Sequence, residues 1–280
     1  MSFTTLIDAP TLAAHLTDPD WLVIDVRHQL ADTGYGERAY AVGHIPGAHF
    51  LHCDCDLSGA MSGTNGRHPL PSVAQIAARF GAIGISAKTQ VVVYDDAQGM
   101  IAGRPWWLLR WLGHDQVAVL DGGLQAWLAN GGALTQDLPA KRPANFVANV
   151  RDALVDADYV QNFLNTSRIH LVDARSPDRY RGENETIDPV GGRVPGAVNR
   201  FFRENLQENG CFKSPELLRT EWLNALAGRS AEQVVHYCGS GVSACHNVLA
   251  MEVAGLPGSR LYAGSWSEWC ALSSRPMAQG

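Results

Sequence analysis

The chain has 280 residues, 46% of them hydrophobic, with 28 acidic against 22 basic side chains and a formal net charge of −6. That length can bury a substantial core and lies near the size at which chains divide into two domains, while the acidic balance excludes an electrostatic footing for a nucleic-acid partner. No stretch is apolar enough to span a bilayer, and the opening MSFTTLIDAPTLAAHLTD has no basic segment followed by an apolar one, so a cytoplasmic protein without membrane association is expected.

Taken in chain order, WLVIDV (21–26) reads as a short buried strand, and PSVAQIAARF (71–80) has the spacing of a helix. QVVVY (90–94) is a β-branched strand, RPWWLLRWLGH (104–114) a helix and VAVL (117–120) a further strand. A polar, proline-bearing segment, TQDLPAKRPANF (135–146), then breaks the periodicity as a linker does. The alternation resumes with HLVDAR (170–175), VVHY (234–237) and the helical SACHNVLAMEVA (243–254), which sets Ala244, Val248 and Met251 on one face. Short β-branched runs alternating with helices indicate an α/β fold built on mostly parallel sheets.

The two halves also repeat one another. LVIDVR returns as HLVDAR, GHIPGA as GRVPGA, VVVYD as VVHYC and DGGLQAW as AGSWSEW, at offsets of 148 (Asp25 to Asp173), 149 (Pro46 to Pro195), 143 (Asp95 to Cys238) and 142 (Trp127 to Trp269). So slow a drift means one fold used twice. The expected division is 1–134, a linker over 135–150, and 151–280.

Cys238 follows a strand directly and is followed by GSGVS (239–243) and a helix. Ligands in open α/β sheets sit at the carboxyl ends of strands. The glycines permit a tight curve whose backbone N–H groups turn toward the sulfur, and a helix N-terminus favours negative charge, so Gly239, Ser240, Gly241, Val242 and Ser243 form a cradle for a thiolate or an anion carried on it. Six cysteines in a chain of this length are too sparse for a disulfide framework, so reduced thiols are expected; in this loop Cys238 reads as a nucleophile, with a buried structural cysteine as the other reading.

On these motifs the chain resembles the tandem-domain rhodanese-family sulfurtransferases over nearly its whole length. CGSGVSAC (238–245) is similar to the active loop of the 3-mercaptopyruvate sulfurtransferases, YAVGHIPGAHF (40–50) to the family's N-terminal signature and YAGSWSEW (262–269) to its C-terminal one. The resemblance implies two rhodanese-like domains, each a mostly parallel sheet with helices on both faces. It implies that Cys238 takes sulfur from a small-molecule donor as a persulfide and passes it to cyanide, a thiol or a thioredoxin-like protein. Asp95 stands where the first domain has lost its cysteine. Arg179, in PDRYRG, has no counterpart in the first half and matches the family's substrate-binding arginine, whose planar fork suits a carboxylate.

The resemblance also sets an N-terminal histidine, His44, against Ser240, where the pair could protonate the enolate left when mercaptopyruvate loses sulfur. A turn histidine bonded to backbone is the other reading of His44, and Asp32 or Glu37 could orient it. The family's second arginine has no clear match, since Arg181 and Arg193 are the basic residues nearby. Thiosulfate rhodaneses place basic residues right after the cysteine; Gly239 and Ser240 are neutral, so mercaptopyruvate is the expected donor and thiosulfate the alternative. Cysteine phosphatases need an arginine where Ala244 stands, and retention of Cys238 argues against a non-catalytic sulfur carrier or interaction module, which leaves both as weaker alternatives.

Asp25 with Arg27 and Asp173 with Arg175 occur in both halves and read as structural. Arg67 and His68, in NGRHPLP, read as turn or packing residues of the first half, Cys245 as a packing residue, and Trp266 and Trp269 as core. Cys53 and Cys55 have no second pair at zinc-like spacing, so neither a metal nor a cofactor is expected.

Overall fold

β-Branched runs do form the centre of each sheet. The computed structural model describes residues 2–140 and 142–280. Met1 and Lys141, the second within the expected linker, lie outside the described residues. The first sheet contains β1 (Leu6–Ile7), β2 (Trp21–Asp25), β3 (His49–Phe50), β4 (Gln90–Tyr94) and β5 (Val117–Leu120), in the order β1-β5-β4-β2-β3. The second contains β6 (Leu154–Val155), β7 (His170–Asp173), β8 (Val198–Asn199), β9 (Val234–Tyr237) and β10 (Arg260–Tyr262), in the order β6-β10-β9-β7-β8. Strand for strand these are the same topology, and every pairing within both sheets is parallel.

Helices cover sheet strands that are buried throughout, such as β4, β5, β7 and β9, as parallel sheets require. The helix Val73–Ala82 starts where Ser72 and Gln75 form a capping box, and Ile76 and Phe80 on its inner face are fully buried. In the second unit Tyr237, Tyr262, Trp266 and Trp269 pack with Val160, Val194 and Val235. In the first, Tyr94 and Trp127 pack with Leu12, Ile45 and Val92.

Contacts divide the chain into two compact units. One comprises the chain up to Gly59 with Pro71–Arg151 and Asn209–Cys211; the other comprises Ala60–Leu70, Asp152–Glu208 and Phe212–Gly280. The segment that carries Arg67 and His68 is thus part of the second unit, although it falls within the first half of the sequence.

The shared aspartate–arginine pairs brace the same joint in each unit. Arg27 Nε and Nη2 grip Asp25, and Nη2 also reaches Gly43 O at 2.8 Å. Arg175 grips Asp173 in the same way and reaches Gly192 O at 2.6 Å. Both pairs are buried, and a two-pronged fork with its charge matched is the form in which burial of an arginine is tolerated; Arg175 Nη1 has only Glu185 Oε2, at 3.5 Å, beside it. Tyr237 Oη accepts from the Val194 N–H at 3.2 Å, as Tyr94 Oη does from Ile45 N–H, which fixes the strand residue just before Cys238.

Candidate active site

Cys238 sits at the carboxyl end of β9, buried, ahead of the helix Ser243–Val253. Its loop is held from behind by the YAGSWSEW segment: Trp266 N–H donates to Cys238 O at 3.0 Å and Ser267 N–H to Gly239 O at 2.9 Å. Ser265 Oγ accepts the Cys238 N–H at 3.1 Å and donates to Tyr262 O at 3.0 Å. Ser265 does this at a φ of +56°, a left-handed conformation costly for a side chain-bearing residue. The corresponding residue of the first half, Gly123, has a φ of +59°, so the second unit accepts strain to gain the hydroxyl that holds its cysteine.

Gly241 N–H points at Cys238 Sγ, 3.2 Å away. Gly241 has a φ of +77°, and a Cβ there would lie 2.2 Å from Ala263 O, so only glycine lets the loop curl this tightly. Val242 is buried at the helix entry and Ser243 is the first helical residue. Cys245 is buried and donates to Gly241 O at 3.3 Å, a packing and loop-fixing contact.

Ser240 Oγ lies 2.7 Å from His68 Nδ1, and both residues are buried. This corrects the expectation for His44. His44 Nδ1 meets Tyr40 O at 2.9 Å and Nε2 meets Asp137 O at 3.1 Å, its ring stacks on Tyr40, and it behaves as the backbone-bonded turn histidine. The physical reason is that both ring nitrogens of His44 are occupied by carbonyls of its own unit. Asp32 meets Arg38, and Glu37 opens the helix Tyr35–Val42, so neither orients a catalytic histidine through these contacts. No periodicity marks His68; the one signal was its setting in a long loop between regular elements.

Arg179 lies in the short helix Pro177–Arg181 and faces the cysteine loop. A Cβ on Gly239 would stand 3.5 Å from Nη1 and Nη2 of Arg179 and 2.9 Å from Nη2 of Arg67. Two guanidinium groups therefore converge beside the residue after Cys238. The second is Arg67, which reads from sequence as a turn residue, and not Arg181 or Arg193. Arg181 pairs with Glu183 at the surface, and Arg193 packs over Tyr180 and reaches Gly280 O. The neutral loop after the cysteine thus has cations beside it, supplied from elsewhere in the unit. Burial and the neighbouring Arg179 push the Arg67 guanidinium below its ordinary range, against the pull of Cys238.

The first unit shows what the same loop looks like without sulfur. Asp95 follows β4, and its carboxylate accepts the N–H groups of Ala97, Gly99, Ile101 and Ala102 at 2.8–2.9 Å. Burial pushes its pKa up while these four donors pull it down. Leu124 N–H donates to Asp95 O, as Trp266 does to Cys238 O. Of the remaining cysteines, Cys53 is buried with its thiol pushed up to about 12 by desolvation, which disfavours a thiolate, and Cys55 is exposed.

A parallel five-stranded sheet in the order just described, with a strand-end loop that opens a helix, defines a rhodanese-like domain. The Rhodanese-like domain profile matches residues 8–130 and 156–272, and the chain belongs to the rhodanese family. It is 48% identical to a probable 3-mercaptopyruvate sulfurtransferase of Pseudomonas aeruginosa over 100% of both chains. A putative thiosulfate sulfurtransferase of Mycobacterium tuberculosis is 37% identical over 98% of this chain and 97% of that one. Among solved structures, the 3-mercaptopyruvate sulfurtransferase of Leishmania major superposes with a TM-score of 0.87 at 29% identity, covering 98% of this chain and 76% of that one.

Proposed function

We propose that this sulfurtransferase takes its sulfur from 3-mercaptopyruvate onto Cys238 and hands it to a thiophilic acceptor. The Cys238 thiolate attacks the donor sulfur; an S–S bond forms, the C–S bond breaks, and its electron pair remains on carbon as the enolate of pyruvate. The enolate takes one proton and leaves as pyruvate. Ser240 supplies that proton and His68, at 2.7 Å, replaces it. The Gly241 N–H, already on Sγ, favours negative charge on the sulfur through the cycle. An acceptor nucleophile then attacks the outer sulfur, the S–S bond breaks, and the Cys238 thiolate is restored. In a reducing cytoplasm that acceptor is cyanide, a small thiol or a thioredoxin-like protein; among the described residues no helix is long and apolar enough to cross a membrane.

The observation that carries this reading is the convergence of Arg67 and Arg179 beside Gly239, one residue from the sulfur-bearing cysteine. Two forks at that point suit the carboxylate of an α-keto acid whose thiol reaches Cys238. Arg67→Met and Arg179→Met keep an unbranched apolar stem and lose the charged fork. Each should lower kcat/KM for mercaptopyruvate by about 10- to 100-fold, as expected for a charge-assisted hydrogen bond of roughly 1.5–3 kcal/mol. Unchanged kinetics in both variants, compared side by side with mercaptopyruvate and thiosulfate, contradict the reading. The same arginines could take a sulfonate, which keeps thiosulfate as the second reading, and a wild type that prefers thiosulfate would establish it.

A further inference from the structure

Two carboxylates are built in behind the arginines. The side chains of Glu185 and Asp188 are only 4% and 2% exposed. Glu185 takes Nε and Nη2 of Arg179 at 3.0 and 2.9 Å, and its Oε1 accepts the N–H groups of Ile187 and Asp188 at 3.0 Å each. Asp188 bridges: Oδ1 holds Arg67 Nη1, and Oδ2 lies 3.3 Å from Arg179 Nη2. Nη2 of Arg67 and Nη1 of Arg179 make no hydrogen bond among the described residues, and both lie beside Gly239. The carboxylates therefore occupy the rear of each fork and leave its front toward the cysteine loop.

The charge of this arrangement is unusual for an anion site. Two guanidinium charges are matched by two buried carboxylates, so the subsite offers directed N–H groups with little net positive charge. Directed donors serve any oxyanion, but the Coulomb attraction of a net cation serves a dianion about twice as strongly as a monoanion. Mercaptopyruvate carries one carboxylate charge; thiosulfate carries two charges.

We infer that Asp188 is a specificity-determining residue, whose charge, held across Arg67 and Arg179, favours a singly charged donor over a dianionic one. The inference rests on the proposal that Arg67 and Arg179 bind the donor anion. Asp188 touches no reacting atom; it acts through the two arginines. Loss of its charge helps thiosulfate more than mercaptopyruvate, because the repulsion removed scales with donor charge.

The test is Asp188→Asn, which keeps shape and one acceptor oxygen, with Asp188→Ser as a second variant should the first fail to fold. The ratio of kcat/KM for thiosulfate to that for mercaptopyruvate should rise at least about tenfold at low ionic strength, and the rise should shrink in high salt. A ratio within twofold of wild type, including the case where both donors weaken in parallel, overturns the inference and leaves Asp188 a support for the arginines. Arg67→Met and Arg179→Met run in the same assay separate the two failures. If they do not affect either donor, the anion subsite itself is wrong; if they do and the ratio in the Asp188 variants stays fixed, only the role of Asp188 is wrong.

Discussion

A hydroxyl can pass a proton to a developing enolate only if something replaces it, and Ser240 has His68 Nδ1 at 2.7 Å. His44, by contrast, spends both ring nitrogens on the carbonyls of Tyr40 and Asp137. The two histidines should therefore separate in mutagenesis. His68→Ala, once shown to be folded, should lower kcat for mercaptopyruvate by about 100-fold or more, the usual worth of a positioned acid. His44→Ala should lower the melting temperature, through loss of two buried hydrogen bonds and the stacking on Tyr40, with kcat retained. The opposite pattern would return the acid role to His44. Sequence alone supported the two histidines unequally: His44 lies in the conspicuous GHIPGA motif, and His68 in an irregular loop whose packing depends on tertiary contacts. Arg67 and Asp188 were hidden for the same reason, since a salt bridge between residues 121 positions apart leaves no local pattern.

At the scale of the element, β9 carries more than the cysteine at its end. His236 in its middle is fully buried, packed against Trp222, with Nε2 3.2 Å from Met251 Sδ and, among the described residues, no hydrogen-bond partner for Nδ1. Burial disfavours its charged form and pulls its pKa from 6.5 down to about 3. In the unfolded chain the ordinary value of about 6.5 returns. Between these values the unfolded state binds a proton that the folded state does not, so the contribution is fully present above 6.5 and is lost as pH falls toward 3. The slope is up to about 1.4 kcal/mol per pH unit. His28, His49, His114 and His170 are shifted the same way by burial and add to the trend. His236→Leu should flatten the acid limb of urea-unfolding stability by about one proton relative to wild type; an unchanged slope would show that His236 titrates normally. The central strands β2, β4, β5, β7 and β9 were legible as short apolar runs, and the three helices read from sequence fall within a turn of Val73–Ala82, Gly103–Trp111 and Ser243–Val253; β10 and the helices Ala9–His15, Tyr35–Val42 and Pro215–Leu226 were not read. The edge strands β1, β3, β6 and β8 were not, because two residues carry no alternation and only pairing with a neighbour defines them.

Across the whole molecule, one topology is used twice with different occupants at the same strand end. The repeat made the duplicated fold readable from sequence. The exchange of Ala60–Leu70 into the second unit was not readable, because nothing in a loop sequence says which core it packs on. The Asp95 carboxyl oxygens hold four backbone N–H groups, whereas Cys238 Sγ meets the Gly241 N–H. On the proposed function, the first loop is structural and the second carries the chemistry. Asp95→Asn turns an amide N–H toward buried donors and should cost about 2–4 kcal/mol of unfolding stability, yet the folded variant should still load sulfur. Cys238→Ser should leave stability within about 1 kcal/mol and abolish loading. The most direct test of the account is to incubate the protein with 3-mercaptopyruvate, without an acceptor, and locate the added sulfur by mass spectrometry of its peptides. The account predicts one extra sulfur atom on the peptide containing Cys238, present in Asp95→Asn and absent in Cys238→Ser, with stoichiometric pyruvate released. Sulfur found on Cys53, Cys55, Cys245 or another residue instead, or pyruvate released by Cys238→Ser, would contradict it.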